Sequence, residues 1–405
     1  MALDPQTAEE IPLEAAAEVT RRRRQGLFFL GLAAGLVGFA LAVQIGANAN
    51  FVAEEMRLSG HQQGVLEAFR ESCGIVALSV LALLAGFAEP LVAAAMLVLV
   101  AVGLGSYTFV PDYFWLVLAS LVWSQGLHVW MPLPNSMAMA LAEPGRTGYR
   151  VGQVRAAAAA GSGVGLLVAL VLSHLGVTVR PLFMVAGGAA LVSAAACLGI
   201  PRQIRTPGPR LVLRRKYRLY YLLSFLEGWR KQIFIAFAGF LLVKEYQTPL
   251  TTMLLLSVVF HAIGWAGSPL VGRLIDRIGE RRILVFYFAC LTAFFVGYAY
   301  VRNRYCLYAL YVVDSAFFVF AIALTTYVSR IAPPAEHTPT LSMGVAFNHV
   351  AAVAMPLIGA VLWRYAGYRY VFLIGAAAAA ASILAALCLP RHVARTDALP
   401  AVPSE

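Results

Sequence analysis

Residues 180–202 read RPLFMVAGGAALVSAAACLGIPR, and 189 positions further on residues 369–391 read RYVFLIGAAAAAASILAALCLPR. Nine of the 23 aligned positions are identical, among them Arg180/Arg369, Phe183/Phe372, Ser193/Ser382, Pro201/Pro390 and Arg202/Arg391, so the match does not rest on alanine alone. Each copy is an apolar run of about 20 residues, the length an α-helix needs to cross a bilayer core. At a similar offset the glycine-containing run from Gly152 to Gly176 lies over the one from Gly344 to Gly367. A self-match at this period divides the chain into two halves of like construction and like orientation.

The rest of the chain agrees with that division. Of 405 residues, 60% are hydrophobic and 13% charged, where a water-soluble domain needs about 25% charged residues for its surface. Apolar runs broken only briefly predict helices near 26–51, 62–85, 91–109, 113–141, 150–174, 180–200, 219–242, 250–271, 282–301, 305–330, 340–364 and 369–389. The expected fold is therefore an all-α membrane protein of about twelve transmembrane helices in two six-helix bundles. Its expected parts are a tail at 1–25, a first bundle at 26–200, a basic linker at 201–218, a second bundle at 219–390 and a tail at 391–405. The run from Gly26 is too long for a signal-peptide core, so it is expected to remain as the first span.

An even number of spans places both termini on one side. On that side fall twenty cations, including Arg21 to Arg24 and seven between Arg202 and Arg218, against seven opposite. Positive charge is retained inside, which predicts cytoplasmic termini. Abundant alanine and only three lysines (Lys216, Lys231, Lys244) suggest a bacterial chain, hence a multi-pass protein of the inner membrane. The net charge of +11 sits in short segments between apolar runs, so no nucleic-acid partner is expected. The linker fits orientation, with membrane lipid headgroups as partners. The five cysteines are scattered, with no CxxC pair and no His/Cys cluster at metal spacing. No metal and no cofactor are expected.

Ionisable residues inside spans point to function, because each costs about 2.5–3.5 kcal/mol on insertion scales. Glu67, Arg70 and Glu71 share one face of the second span, at i, i+3 and i+4, and Glu227, Arg230 and Lys231 repeat the spacing in the seventh. Asp314, Asn348 and His349 lie at comparable depth, with Arg155 and His128 nearer the cytoplasmic third. Four acids and four bases can neutralise one another, either as ion pairs holding helices together or as the lining of a wet central cavity. In a cavity, Glu67, Glu71, Glu227 and Asp314 are candidates for proton coupling. Arg70, Arg155, Arg230 and Lys231 suit an anionic or zwitterionic solute. Sodium coupling stays open. No nucleophile motif, HExxH or Walker loop is present, so no enzyme is expected.

Residues 272–282 read GRLIDRIGERR between the eighth and ninth predicted spans. This resembles the G-x-x-x-D-R-x-G-R-R loop of the major facilitator superfamily, in the half where a second copy is often found. The resemblance implies a 6+6 carrier working by alternating access, with Gly272, Asp276, Arg277, Gly279 and Arg281 at a gate. Glu280 stands where the family usually has a cation, and the equivalent first-half loop reads Gly86-Phe-Ala-Glu-Pro90 without arginine. Gly152, Gly161 and Gly165 match the opening glycine spacing of the family's antiporter motif, which leans toward efflux, although Leu166 replaces its proline. The expected function is a secondary transporter of a small organic solute, acting as a monomer. The rival is a non-transporting receptor or assembly factor on the same scaffold.

Overall fold

A computed structural model describes residues 13–84, 86–143, 146–205 and 213–390. The first half contains α1 (Leu13–Asn50), α2 (Gly60–Leu83), α3 (Glu89–Ser106), α4 (Tyr113–Trp130), α5 (Leu133–Leu141), α6 (Thr147–His174) and α7 (Val179–Cys197). The second contains α8 (Arg218–Ile233), α9 (Gly239–Lys244), α10 (Leu250–Ile278), α11 (Glu280–Tyr300), α12 (Arg304–Phe317), α13 (Ile322–Ile331), α14 (Pro334–Tyr365) and α15 (Tyr368–Leu387). Three neighbouring pairs run on as single bent rods. Pro132 and Pro134 break α4 from α5, a π turn at Phe234–Ala238 joins α8 to α9, and a 3-10 turn at Phe318–Ala321 joins α12 to α13. Among the described residues this gives twelve rods, consistent with the predicted spans.

Among the described residues, nine helices are long and apolar enough to cross a membrane. The rods that fall short are those containing α2, α8 and α10, and the first two carry the charged triplets. Burial departs from that of a soluble protein in both directions, although the core is still mostly apolar. Phe28, Phe109, Leu83 and Leu175 are exposed, while Glu67, Glu227, Arg230 and Asp314 are buried. Lipid accepts the former, and packing inside the protein shelters the latter.

Packing repeats with the sequence. In the first half α1 packs on α6 and α7, α3 on α7, and α2 on α4; in the second, α8 packs on α14 and α15, α11 on α15, and α10 on α12. The two sets join chiefly through α2 against α14 and α6 against α10. The repeated phenylalanines, Phe183 and Phe372, and serines, Ser193 and Ser382, are all fully buried. Ser193 Oγ donates to the Ala33 carbonyl at 2.9 Å, and Ser382 Oγ to the Ala378 carbonyl at 2.8 Å. Gly161 and Gly165 let α6 lie directly on the α1 backbone at Gly35 and Phe39, whereas Gly152 faces open space. Helix contact thus accounts for two of the three glycines in the exporter-like spacing.

Three boundaries correct the sequence expectation. α1 begins at Leu13 inside the expected tail, where Glu18 pairs with Arg21 and Arg22 at 2.6 and 2.7 Å, one turn apart. α14 starts at Pro334, six residues earlier than the predicted 340. The expected loop at 272–282 is almost wholly helical, since α10 ends at Ile278 and α11 starts at Glu280. Gly279 alone makes the turn, at φ 84°, a conformation that glycine adopts without Cβ strain. Gly272 and the Asp276 side chain lie outside the described residues; Arg277 is exposed and Arg281 half-buried.

The two departures from the family loop are one device used twice. Glu89 and Glu280 each open a helix shortly after a positive-φ glycine, Gly86 or Gly279, and each is buried. Glu89 accepts from Ser136 Oγ at 2.7 Å, and Glu280 pairs with Arg330 at 2.6 Å. The first-half loop is also tied to the connecting segment, since Arg205 donates to the Gly86 carbonyl and its backbone bridges to Ala88. Where the second half resumes, Glu336 at the start of α14 takes Tyr217 Oη at 2.6 Å, Lys216 Nζ at 2.8 Å and Arg214 at 3.4 Å.

The hydrogen bond from Lys216, and after it that from Tyr217, holds the Glu336 carboxyl below its usual value. A carboxyl held low in the folded state stabilises above its unfolded value, and that stabilisation is lost as pH falls through the lowered value. Amide exchange at residues 214–218, taken relative to the intrinsic rate at each pH, is therefore expected to be slow and flat through neutral pH and to quicken in acid. Glu336→Gln should make it fast throughout; an acid step surviving in that variant would remove Glu336 as the cause.

Candidate functional site

The charged residues gather into two clusters joined by α14. In the first half, α2 presents Gln63, Glu67, Arg70 and Glu71 along one face. Arg70 pairs with Glu67 at 2.6 Å and approaches Glu71 at 4.0 Å. Its guanidinium lies 5.3 Å from the centre of the Trp123 ring, whose indole N–H donates to Tyr107 Oη at 3.0 Å. Ser124 Oγ donates to the Arg70 carbonyl at 2.7 Å, fastening α4 to α2. Gln63 bridges the halves, its Nε2 donating to Glu67 at 3.2 Å and to the Ala236 carbonyl at 3.0 Å. That carbonyl belongs to the π turn, a geometry common at functional sites.

The second cluster lies within the second half. Arg230 is wholly buried and pairs with Glu227 at 2.5 Å and Asp314 at 3.6 Å. Tyr287 Oη lies 2.5 Å from Arg230 and 3.0 Å from Glu227, while the Phe318 ring sits under the guanidinium at 4.3 Å. Phe318 opens the 3-10 turn that follows α12, so the backbone irregularity places an aromatic face beneath the charge. The cluster is short of partners. Among the described residues, Glu227 Oε2, both Asp314 oxygens, and Arg230 Nε and Nη1 make no hydrogen bond.

Between the clusters runs α14. Lys231 Nζ donates to Asn348 Oδ1 at 2.7 Å, and Asn348 Nδ2 donates to the Ser224 carbonyl at 3.2 Å. His349 crosses to the first half, 3.6 Å from Glu71 and with its ring centre 5.2 Å from that of His128. Glycines permit this on both sides. A Cβ at Gly228 would lie 2.6 Å from the Asn348 carbonyl oxygen, and one at Gly74 would collide with the His349 ring. Arg70, Glu71, Lys231, Asn348 and His349 are only partly buried, unlike Glu67, Glu227, Arg230 and Asp314.

Nine of the ten expected site residues thus fall into this network. Arg155 does not. It is exposed near the start of α6 and has no ion-pair partner among the described residues. Sequence spacing missed Gln63 and Tyr287. Gln63 was detectable, one turn before Glu67 on the same face. Tyr287 stands in the aromatic-rich run VFYF and carries no distinguishing pattern.

Breaking a buried ion pair from one side leaves a stranded charge and costs about 3–5 kcal/mol. Arg230→Met is therefore expected to destabilise the detergent-solubilised protein by about that amount, since Glu227 and Asp314 would both lose their cation. Arg155→Gln should stay within about 0.5 kcal/mol of the parent. Denaturant unfolding followed by tryptophan fluorescence compares the two, and equal stabilities would contradict this assignment.

The second half of the chain, residues 220–404, matches the family model of the Major Facilitator Superfamily. Solved structures resemble the whole. The nucleoside transporter NupG superposes with a TM-score of 0.71 at 16% identity, covering 90% of this chain and 98% of its own. A bacterial homolog of the human lysosomal transporter Spinster, inward-facing and occupied, gives 0.72 at 13% identity, covering 90% and 96%. A D-xylose-proton symporter gives 0.69 at 14% identity, covering 93% and 99%. No curated protein matches the sequence.

Proposed function

We propose that this chain, whose second half matches the Major Facilitator Superfamily model, is a carrier of that superfamily, a secondary active transporter moving a small organic solute by alternating access. The observation that carries the proposal is the seam at α14, where partly exposed Arg70, Glu71, Lys231, Asn348 and His349 from both halves face one another. Ionisable groups held half-buried between two packed bundles suit a polar cargo bound at mid-depth. Arg70 and Lys231 favour a carboxylate or another anionic group, and Glu71 a cationic one, so a zwitterionic solute matches the set.

Coupling falls to the buried cluster. Glu227 and Asp314 share Arg230, and their unpartnered oxygens would accept a proton or release the arginine as the bundles move. Protons are the proposed coupling ion, in keeping with the structural likeness to a D-xylose-proton symporter; sodium is the alternative. The halves are joined away from the termini, by Asn50 donating to the Thr248 carbonyl at 2.9 Å and by Gln63 to Ala236. That supports a state closed at the far end. We further propose cytoplasmic termini, a bacterial inner-membrane location, residues 201–218 as the linker, and export as the direction, the last on the Gly152, Gly161 and Gly165 spacing.

Comparing solute levels in deletion and overexpressing cells identifies cargo and direction together. A solute moved by no strain would favour the receptor or assembly role. With the cargo in hand, Glu227→Gln is expected to abolish proton-driven transport while membrane insertion is kept; intact coupling would remove Glu227 from the mechanism. In the same assay Asp276→Asn should slow turnover several-fold with solute affinity kept, and a parental rate would count against a gate at Asp276.

A further inference from the structure

Glu71, His128 and His349 come from three different helices, yet their ligand atoms lie within 4.8 Å of one another. The positions are 57 and 221 residues apart, so no spacing in the sequence announces them. From this convergence we propose a binding site for a divalent transition-metal ion of the zinc class, bridging the two halves of the protein.

Each ligand is set up independently. The His128 Nδ1–H donates to the Ser124 carbonyl at 2.8 Å, which fixes the tautomer and leaves Nε2 as the free lone pair. Ser124 is in turn tied to the Arg70 carbonyl, so the ring is held from behind. His349 is positioned by the missing side chain at Gly74, and its Nδ1, 3.6 Å from Glu71, is buried and makes no hydrogen bond among the described residues. Among the described residues Glu71 has no ion-pair contact closer than the 3.6 Å to His349, with Arg70 at 4.0 Å. Arg70 is engaged by Glu67 at 2.6 Å and Lys231 by Asn348 at 2.7 Å, so both cations nearest the site already have partners.

Two imidazoles and one carboxylate form a donor set that suits zinc-class ions and leaves a fourth position open. Magnesium and calcium prefer oxygen ligands alone. Shared coordination at about 2.0–2.2 Å asks the ligand atoms to draw in by about 1–1.5 Å, within the reach of side-chain rotation at Glu71. Glu71 and His128 belong to the first half and His349 to the second. An ion here is therefore a clamp that exists only while α14 lies against α2, and it holds this arrangement of the halves.

The test uses the purified full-length chain in detergent, with Co2+ as a spectroscopic probe. Wild type should develop the visible d–d bands of tetrahedral Co2+ at one ion per chain, displaced by Zn2+. His349→Asn and His128→Asn should each weaken binding by about 100-fold or more, with His261→Asn, elsewhere in α10, unchanged. Zn2+ should also slow amide exchange along 60–83 and 334–365 in wild type and not in His349→Asn. Should one histidine variant fail to fold, Glu71→Gln gives the same comparison. Absence of the Co2+ bands in wild type, or bands of equal strength in both histidine variants, overturns the site; bands without slowed exchange overturn the clamp. Binding is read without any transported solute, so the outcome is independent of the proposed function.

Discussion

Hydrocarbon offers a charged side chain nothing to bind, and that single constraint orders this molecule. The rods of α2 and α8 each carry a charged triplet along one face and are too polar to pass as simple spans. They are tolerated because most of these charges find counter-charges on the same helix or in the same half, Arg70 with Glu67 and Arg230 with Glu227 and Asp314. Arg230 is the extreme case: a fully buried guanidinium enclosed by two carboxylates, a phenol and a phenyl ring. Apolar packing of the same volume would usually stabilise as well or better. The persistence of so many charges, several of them short of hydrogen bonds, fits a job in which partners are exchanged.

The helix that organises this exchange is α14. It packs on α8 in its own half and on α2 in the other, and at residues 348–349 it is gripped by Gly228 on one side and Gly74 on the other. One residue therefore answers to Lys231 and the next to Glu71. Backbone irregularities lie beside the same region. The π turn at Phe234–Ala238 offers a carbonyl to Gln63, and the 3-10 turn at Phe318–Ala321 brings Phe318 under Arg230. Regular helices would place neither group there.

Much of the fold was legible because hydrophobic length and the 189-residue repeat are one-dimensional signals. The i, i+3, i+4 triplets were legible for the same reason, since helical periodicity puts them on one face. Distances between elements were not. His128 reads as an isolated histidine until α4, α2 and α14 are packed, and Arg155 reads as a companion of the other charges although α6 holds it apart from them. The helical state of the residues flanking Gly279 was hidden because a polar stretch looks the same whether it is loop or the last turns of a helix. Glu89 and Glu280 looked like flaws in a motif, and burial shows them to be a matched pair.

The imidazole of His349 occupies the volume that a Cβ at Gly74 would fill. Across relatives, the two positions are thus bound to change together: any lineage that gains even an alanine at 74 must give up the ring at 349 or push the two bundles apart. Covariation between these positions, 275 residues apart in the chain, would be the evolutionary trace of a contact that exists only across the seam.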